Sequence, residues 1–476
     1  MSHLDDTILL HKRRGRTARR RTILAAMRNT TQEIRGKVVR DKTYDKFIDW
    51  LRQHNFPKTK MVLAEFPETG RGMMATGDIE PGEIIVSVPK KFLICNETLQ
   101  KEYGQHPLTM HQLLALHICF LKRDSNSWWK PYIDLLPSHF NTMPVKYPKI
   151  LADRLPTSLK GEVSQQMKRL ESDYTTASRF LKSRNKNEFI TYKEYEWAWL
   201  CGTEHLQFTK RLRISDKQQQ TNNKNFLIML NTRCIHMSTI DATAKGGNIA
   251  MAILLDFLNH SCNAKIESGF NVRTQCFEIR TLTPYKTGEQ IFINYGPHDN
   301  LAILREYGFI IPDQNDFNFV SLDKEIWTLF DEMETARDSQ LKKEILQKEG
   351  DYSIKKHEIS FRLLSALRLL AIDGSHSRVA LDQRYFDWRD TILGETDIIS
   401  QDNERRVLIM LKSLCERVIE SSDNEKTRLM EISSQDMIKY NIHNYALTFV
   451  KQIWRETEEI ARMTILDIEQ KLGEMI

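Results

Sequence analysis

The sequence predicts an α+β chain: a fold of short strands, interrupted by a helical stretch and followed by an all-helical C-terminal region. Three patterns carry that expectation. Between Met61 and Pro89, β-rich segments alternate with glycine-containing turns. From Cys276 to Thr281, Phe277 and Ile279 alternate with Glu278 and Arg280, the period of a half-buried strand. Between these two regions, and again after Phe309, apolar residues recur at helical spacing.

The bulk properties set outer limits. A chain of 476 residues has room for two or three domains with ample cores. Its 41% hydrophobic and 28% charged residues are those of an ordinary soluble globular protein. No apolar run approaches the roughly 18 residues of a membrane helix, and the N-terminus shows no apolar signal core. Cys95, Cys119, Cys201, Cys234, Cys262, Cys276 and Cys415 are odd in number and form no C-x-x-C pair. Reduced thiols in a nuclear or cytosolic protein are expected, with no metal framework.

The charge is unevenly placed. Residues 1–40 hold eleven Lys/Arg against three Asp/Glu, a net +8, so the remaining chain sums to −2 of the total +6. The core of this basic tail is Lys12 to Arg21, KRRGRTARRR, which lacks apolar periodicity and reads as a disordered arm. It fits a nuclear-import signal that engages the import machinery, a phosphate-contacting arm for direct nucleic-acid contact, or a plain solvated tail.

In chain order, Thr43 to His54 places Phe47, Ile48 and Leu51 at helical spacing. Gly70-Arg71-Gly72 reads as a tight turn between Val62-Leu63-Ala64 and Met73-Met74-Ala75. Glu80-Pro81-Gly82-Glu83 reads as a second turn, leading into a strand from Ile84 to Val88. His111 to Leu121, Ser164 to Leu181 and Tyr192 to Trp199 are helical patterns, and Trp128, Trp129 and Tyr132 are large packing anchors between them. His117 has no second His or Cys at metal spacing and reads as a core or rim residue. After Phe309, helical patterns cover Ile326 to Glu344, Glu358 to Ile372, Glu404 to Ile419 and Tyr445 to Leu472. Gly374 is a helix end, and Ser421-Ser422-Asp423-Asn424 is a polar linker. No internal repeat, P-loop or G-x-G-x-x-G occurs.

The chemistry concentrates in Ile253 to Phe309. The apolar Ile253-Leu254-Leu255 breaks into Asp256, Asn259, His260 and Ser261, polar side chains that each need a partner or a ligand beside an apolar run. Cys276 to Thr281 and Gln290 to Tyr295 read as two strands of a hairpin, punctuated by Pro284 and Gly288. Tyr295-Gly296-Pro297 then leaves a phenol at a strand end, a common place for site residues.

Three motifs in this order, D-x-x-N-H-S (Asp256 to Ser261), G-E-Q-I-x-I-x-Y-G (Gly288 to Gly296) and E-Y-G-F (Glu306 to Phe309), resemble the C-terminal half of a SET domain. The resemblance is to the Rubisco-methyltransferase-like class of SET lysine methyltransferases. It implies a SET β-fold core interrupted by a helical insert and followed by an all-helical C-terminal domain. On that reading residues 1–40 are the basic tail, 41–100 the N-terminal part of the SET domain and 101–245 the helical insert. Residues 246–312 are the C-terminal part of the SET domain and 320–476 a helical domain like the class's substrate-binding domain. Relatives run almost directly from a Trp-Ala-Trp helix into Asn-Thr-Arg, whereas residues 200–230 separate Trp197-Ala198-Trp199 from Asn231-Thr232-Arg233 here, about 28 of them, 202–229, being an insertion. They are either a tolerated surface loop or a translated intron.

The resemblance implies S-adenosylmethionine as cofactor and a protein lysine as acceptor, on histones or other nuclear or cytosolic proteins. The protein is then expected in nucleus and cytoplasm. Tyr295 would be the catalytic tyrosine. Gly72 and Met73 would give backbone groups to the cofactor, glycine permitting close approach. Asp256, Asn259 and His260 would hold the cofactor, Phe309 would stack near its adenine, and Arg233 would meet its carboxylate. Tyr307 and Leu255 would line the substrate channel. Members of the wider class that methylate a histidine of actin carry Trp just before the motif aspartate; Leu255 stands there in this chain. The alternatives are a protein-histidine methyltransferase and a catalytically weak or inactive SET scaffold.

Overall fold

The computed structural model describes residues 36–184, 188–202, 234–236, 249–312, 315–332, 342, 346, 350–372 and 378–475. The basic run 12–21, Arg233, Gly374 and all of 202–229 except Gly202 lie outside the described residues. The chain divides into two units. One contains the chain up to Leu93 and Ala252–Asn294; the other contains Ile94–Met251 and Tyr295–Ile476.

The first unit holds two sheets. Strands β1 (Lys37–Val38), β2 (Met61–Phe66), β3 (Gly70–Ala75), β4 (Ile84–Pro89), β5 (Asn259–His260), β6 (Ile266–Asn271), β7 (Cys276–Thr281) and β8 (Gln290–Ile293) supply them. One sheet runs β1-β2-β3-β8-β5 and the other β4-β7-β6. Every pairing is antiparallel except β8 with β5, which is parallel and sets Phe292 beside Asn259 and Ile293 beside His260. Helix α1 (Lys42–Gln53) begins where the Asp41 carboxylate accepts the Thr43 amide at 2.7 Å. Its buried Phe47 and Tyr44 pack on Phe257, and the Tyr44 hydroxyl accepts the Leu63 amide. Leu63, Met73, Ile279 and Ile291 are buried, as the period-2 pattern requires.

Two turn assignments differ from the sequence expectation. The β2–β3 turn is Pro67-Glu68-Thr69, and Gly70-Arg71-Gly72 lies within β3, with Gly72 opposite Ala64. Proline starts the turn with its fixed φ, and Gly70 closes it at φ +69. The expected hairpin of Cys276 to Thr281 with Gln290 to Tyr295 does not form. β7 pairs with β4 and β6, while β8 pairs with β3 and β5. Between them Tyr285 exchanges two backbone hydrogen bonds with Ile79 (2.9 and 3.0 Å), which carries the chain out of one sheet before it enters the other. The hairpin in this region is β6–β7, closed where Asn271 Oδ1 accepts the Arg273 amide at 3.0 Å and Gln275 adopts φ +55.

The second unit is mainly helical. Helices α2 (Met110–Arg123), α3 (Thr157–Arg184) and α4 (Tyr192–Cys201) precede Tyr295. α5 (Asn300–Tyr307), α6 (Phe361–Leu370), α7 (Gln401–Met430) and α8 (Asn444–Glu474) follow it. Capping boxes at Thr109/Gln112 and Thr191/Glu194 start α2 and α4. The Trp199 indole donates to Asp173 (3.0 Å) and the Trp197 indole to the Pro137 carbonyl (2.8 Å), fixing α4 by its aromatic residues. Val407, Leu411, Leu414 and Val418 of α7 and Ile460, Ala461 and Ile468 of α8 share one buried core with Leu363, Leu367 and Leu370 of α6.

Two helical limits also differ. Residues 421–424, expected as a linker, are inside α7: the Ser422 hydroxyl is buried and donates to the Val418 carbonyl at 2.8 Å, so its polarity is satisfied within the helix. Glu358–Ile359 is a strand paired with Ser353–Lys355, and α6 begins only after the Ser360 cap. Among the described residues no helix is long and apolar enough to cross a membrane. All seven cysteines are outside any disulfide.

Candidate active site

In the first unit the parallel β8–β5 pair sets the Asn-His segment. The Ser261 amide donates to the Ile293 carbonyl at 3.0 Å, and Asn294 Nδ2 to the Cys262 carbonyl at 3.2 Å. Asn259 Nδ2 donates to the Arg71 carbonyl at 2.9 Å, joining the Asn-His segment to β3. His260 is buried, with its Nε2 3.6 Å from Cys262 Sγ. Just upstream, Leu254 adopts φ +70 and starts the 3₁₀ turn Leu255–Phe257 that carries Asp256; Leu255 itself is buried. The polar knot thus sits at a strained turn and a strand start.

Gly72 lies in β3 beside this segment, and Met73 is buried next to it. A Cβ on Gly72 would strike the Gln290 amide and lie 2.8 Å from Asn259 Nδ2. The room that glycine leaves is therefore taken by the chain's own side chains. Sequence reasoning misses Gln290, although it lies within the G-E-Q-I motif. Its Oε1 accepts from Thr69 Oγ1 at 2.7 Å, while its Nε2 is buried without a hydrogen-bond partner. A buried amide donor of this kind calls for an acceptor.

In the second unit, Tyr295 comes two residues after β8 ends, in a turn where Gly296 takes φ +126. Its ring centroid is 4.8 Å from Tyr307 and 6.5 Å from Phe309, and Tyr307 and Phe309 are 6.0 Å apart. Helix α5 delivers Tyr307: Asp299 caps it by accepting the Ala302 amide (2.8 Å), and Gly308 ends it at φ +74. The E-Y-G-F motif is this helix end. Arg305, 4% exposed, pairs with Glu306 at 2.6 Å and with Glu162 of α3. Burial, then the neighbouring Tyr295 and Glu306, raise the Tyr307 phenol well above its ordinary value, so it stays a neutral donor. This cluster offers aromatic faces with two hydroxyls.

The structure therefore assembles Gly72, Met73, Leu255, Asp256, Asn259 and His260 in one unit and Tyr295, Tyr307 and Phe309 in the other. Among the described residues, no three His, Cys, Asp or Glu side chains converge as metal ligands.

Residues 70–296 match the SET domain family, and residues 334–447 match the Rubisco LSMT substrate-binding family. The chain is 29% identical to SET domain-containing protein 4 of Mus musculus over 436 residues, covering 87% of this chain and 89% of that one. It is 24% identical to an actin-histidine N-methyltransferase of Gallus gallus, over 79% of this chain and 60% of that one. It shares its fold with the solved SET domain of LSMT bound to lysine and AdoHcy, with TM-score 0.57, 16% identity and coverage of 92% and 93%.

Proposed function

We propose, for a chain that belongs to the SET-type methyltransferases of the Rubisco-methyltransferase-like class, that it methylates lysine side chains of proteins with S-adenosylmethionine as donor. The observation that carries this reading is the Tyr295–Tyr307–Phe309 cluster, which follows within sixteen residues of the Asn259-to-β8 frame. When bound, the cofactor supplies an activated methyl group on a positively charged sulfur. Everything else falls to the protein: binding, orientation and exclusion of water.

Asn259, His260 and the Gly72–Met73 backbone would hold the cofactor, with the orphan Gln290 amide adding a donor beside them. Asp256 would sit at the lip of the same site and Arg233 would meet the carboxylate. The Asn259 and Gln290 amides, the His260 imidazole and the Gly72–Met73 backbone suit the neutral acceptors and donors of a nucleoside.

An acceptor lysine must lose its proton before its nitrogen can attack. Aromatic walls of Tyr295, Tyr307 and Phe309 desolvate the ammonium and lower its pKa, releasing that proton to water. The Tyr295 hydroxyl would orient the amine, with the neighbouring Tyr307 ring lining the channel. The region 334–447, which matches the Rubisco LSMT substrate-binding family, would hold the protein substrate. Histones and other nuclear proteins are the substrate class we put forward, and the basic run 12–21 would serve import to the nucleus.

A histidine acceptor is the second reading, because actin-histidine methyltransferases are among the relatives. Calorimetry with S-adenosylmethionine, followed by mass spectrometry on lysine- and histidine-bearing protein substrates, tests both. Mass gained on lysine, lost in Tyr295→Phe, supports the lysine reading. Gain on histidine alone replaces it, and absence of cofactor binding overturns both.

A further inference from the structure

Tyr295 is a useful catalytic group only if its backbone is held still, and the residues just after it are built to do so. We infer that His298 is a positioning residue for Tyr295, gripping the tyrosine through its main-chain carbonyl. His298 Nε2 lies 3.1 Å from the Tyr295 carbonyl oxygen. A carbonyl only accepts, so the ring proton is on Nε2 and this contact fixes the tautomer. The His298 amide also donates to the Gly296 carbonyl at 2.9 Å, closing the turn. The histidine ring uses the space that glycine leaves: a Cβ on Gly296 would lie 2.9 Å from Nε2, at a backbone φ of +126. Gly296 and His298 are thus one device, a turn that folds an imidazole back under the tyrosine.

His298 is itself anchored by buried amides. Asn315 Nδ2 donates to the His298 carbonyl at 2.9 Å and to Asn300 Oδ1 at 3.2 Å. Asn300 Nδ2 donates to both carboxylate oxygens of Glu456 on α8 (3.1 and 2.9 Å), and Asn318 Nδ2 adds a third bond at 2.9 Å. Asn300 and Asn315 are 2% and 8% exposed, so these bonds are made away from solvent, where a lost partner is not replaced by bulk water. A continuous hydrogen-bonded chain therefore runs from the Tyr295 carbonyl through His298, Asn315 and Asn300 to the C-terminal helix. The His298 ring stands at the margin of the aromatic cluster, its centroid 6.5 Å from that of Tyr307.

The inference rests on Tyr295 being the residue that orients the acceptor, as proposed above. It predicts an effect on turnover and not on cofactor affinity, because misplacing a reacting group by about 1 Å costs rate at unchanged binding.

Three substitutions in the full chain separate donor from ring. His298→Ala should lower kcat about ten-fold, with the KM for S-adenosylmethionine unchanged. His298→Gln places an amide donor at similar reach and should recover most of that loss. His298→Phe keeps a ring without the donor and should stay low. Thermal unfolding of each variant confirms that it is folded, and if His298→Ala is not, the Gln and Phe variants alone decide. Wild-type kcat in the Ala or Phe variant overturns the inference, as does rescue by Phe without rescue by Gln. Tyr295→Phe runs alongside. If it is inactive while the His298 variants behave as wild type, only this inference falls; if it is fully active, the reading of Tyr295 falls first.

Discussion

Gly308→Ala should destabilise the protein by roughly 2–4 kcal/mol, and the figure can be assembled from two separate causes. Gly308 ends α5 at φ +74, a conformation that costs an alanine about 1 kcal/mol. Its Cβ would also lie 2.7 Å from Thr142 Oγ1 and 3.0 Å from Met143 Cγ, and overpacking of that kind costs about 1–3 kcal/mol. Gly394 isolates the first cause: it has φ +77 with nothing within 4 Å of where an added methyl would stand, so Gly394→Ala should cost only about 1 kcal/mol. Urea unfolding followed by tryptophan fluorescence, under identical conditions, compares the two midpoints. Thr142→Ala placed in the Gly308→Ala background removes the nearer obstacle and should return part of the loss, a coupling that the same Thr142 substitution does not show with Gly394→Ala. Because Tyr307 and Phe309 flank Gly308, methyl transfer should fall together with the midpoint. The reasoning is refuted if Gly308→Ala costs no more than Gly394→Ala.

Tyr295→Phe should lower methyl transfer at least a hundred-fold, on the scale of a lost positioned hydroxyl, while the Kd for S-adenosylmethionine measured by calorimetry changes less than about two-fold. Asn259→Ala should do the opposite, weakening cofactor binding about ten-fold or more, since it also frees the Arg71 carbonyl from its 2.9 Å bond. Burial lowers both His111 and His117 to about 4, so the unfolded chain binds more protons than the folded one between pH 4 and the ordinary 6.5. Stability from these two groups is then complete above about pH 6.5 and is lost as pH falls toward 4, by roughly 3 kcal/mol for His117. His117→Gln should flatten that acid limb in urea titrations at stepped pH; an unchanged slope would show that His117 does not remain neutral in the fold.

Local pattern reads well where one element decides its own shape. The strand Cys276–Thr281 and the turn at Pro81-Gly82 are where alternation and turn chemistry place them, with Gly82 at φ +92. Pairing was not legible, because strands adjacent in sequence need not be adjacent in a sheet. The two Tyr285–Ile79 hydrogen bonds that part β7 from β8 join residues more than two hundred positions apart. Ile266–Asn271, the actual hairpin partner of β7, carries Glu267, Ser268 and Gly269 and shows little apolar alternation. Residues 421–424 mislead for a different reason: a serine that bonds back to the carbonyl four residues earlier is quiet inside a helix, and composition cannot distinguish that from a linker. Tyr295, Tyr307 and Phe309 stood out in the sequence through their motifs, and they meet in one aromatic cluster. Those that support them did not: Asn300, Asn315 and Glu456 are ordinary polar residues until the fold buries them together.

Damage to the strand and damage to the turn should not look alike. Asn294 ends the first unit's last segment and Tyr295 opens the second unit's last segment, so one peptide bond joins the strand that frames Asn259 and His260 to the turn that carries the phenol. The strand side is fixed by the Ser261–Ile293 and Asn294–Cys262 bonds, and the turn side by His298 and the amides behind it. Errors on the two sides should therefore appear as different kinetic defects. Glu456→Leu, on a helix outside the aromatic cluster, removes the carboxylate that accepts from the Asn300 and Asn318 amides, leaving Asn300 its bond to the Ile311 carbonyl at 2.8 Å. It should lower kcat while the Kd for S-adenosylmethionine stays within about two-fold of wild type, because the Asn259–Arg71 bond is untouched. A variant that instead lost cofactor affinity and kept its kcat would mean that the hydrogen-bonded chain through Asn300 has no part in holding Tyr295.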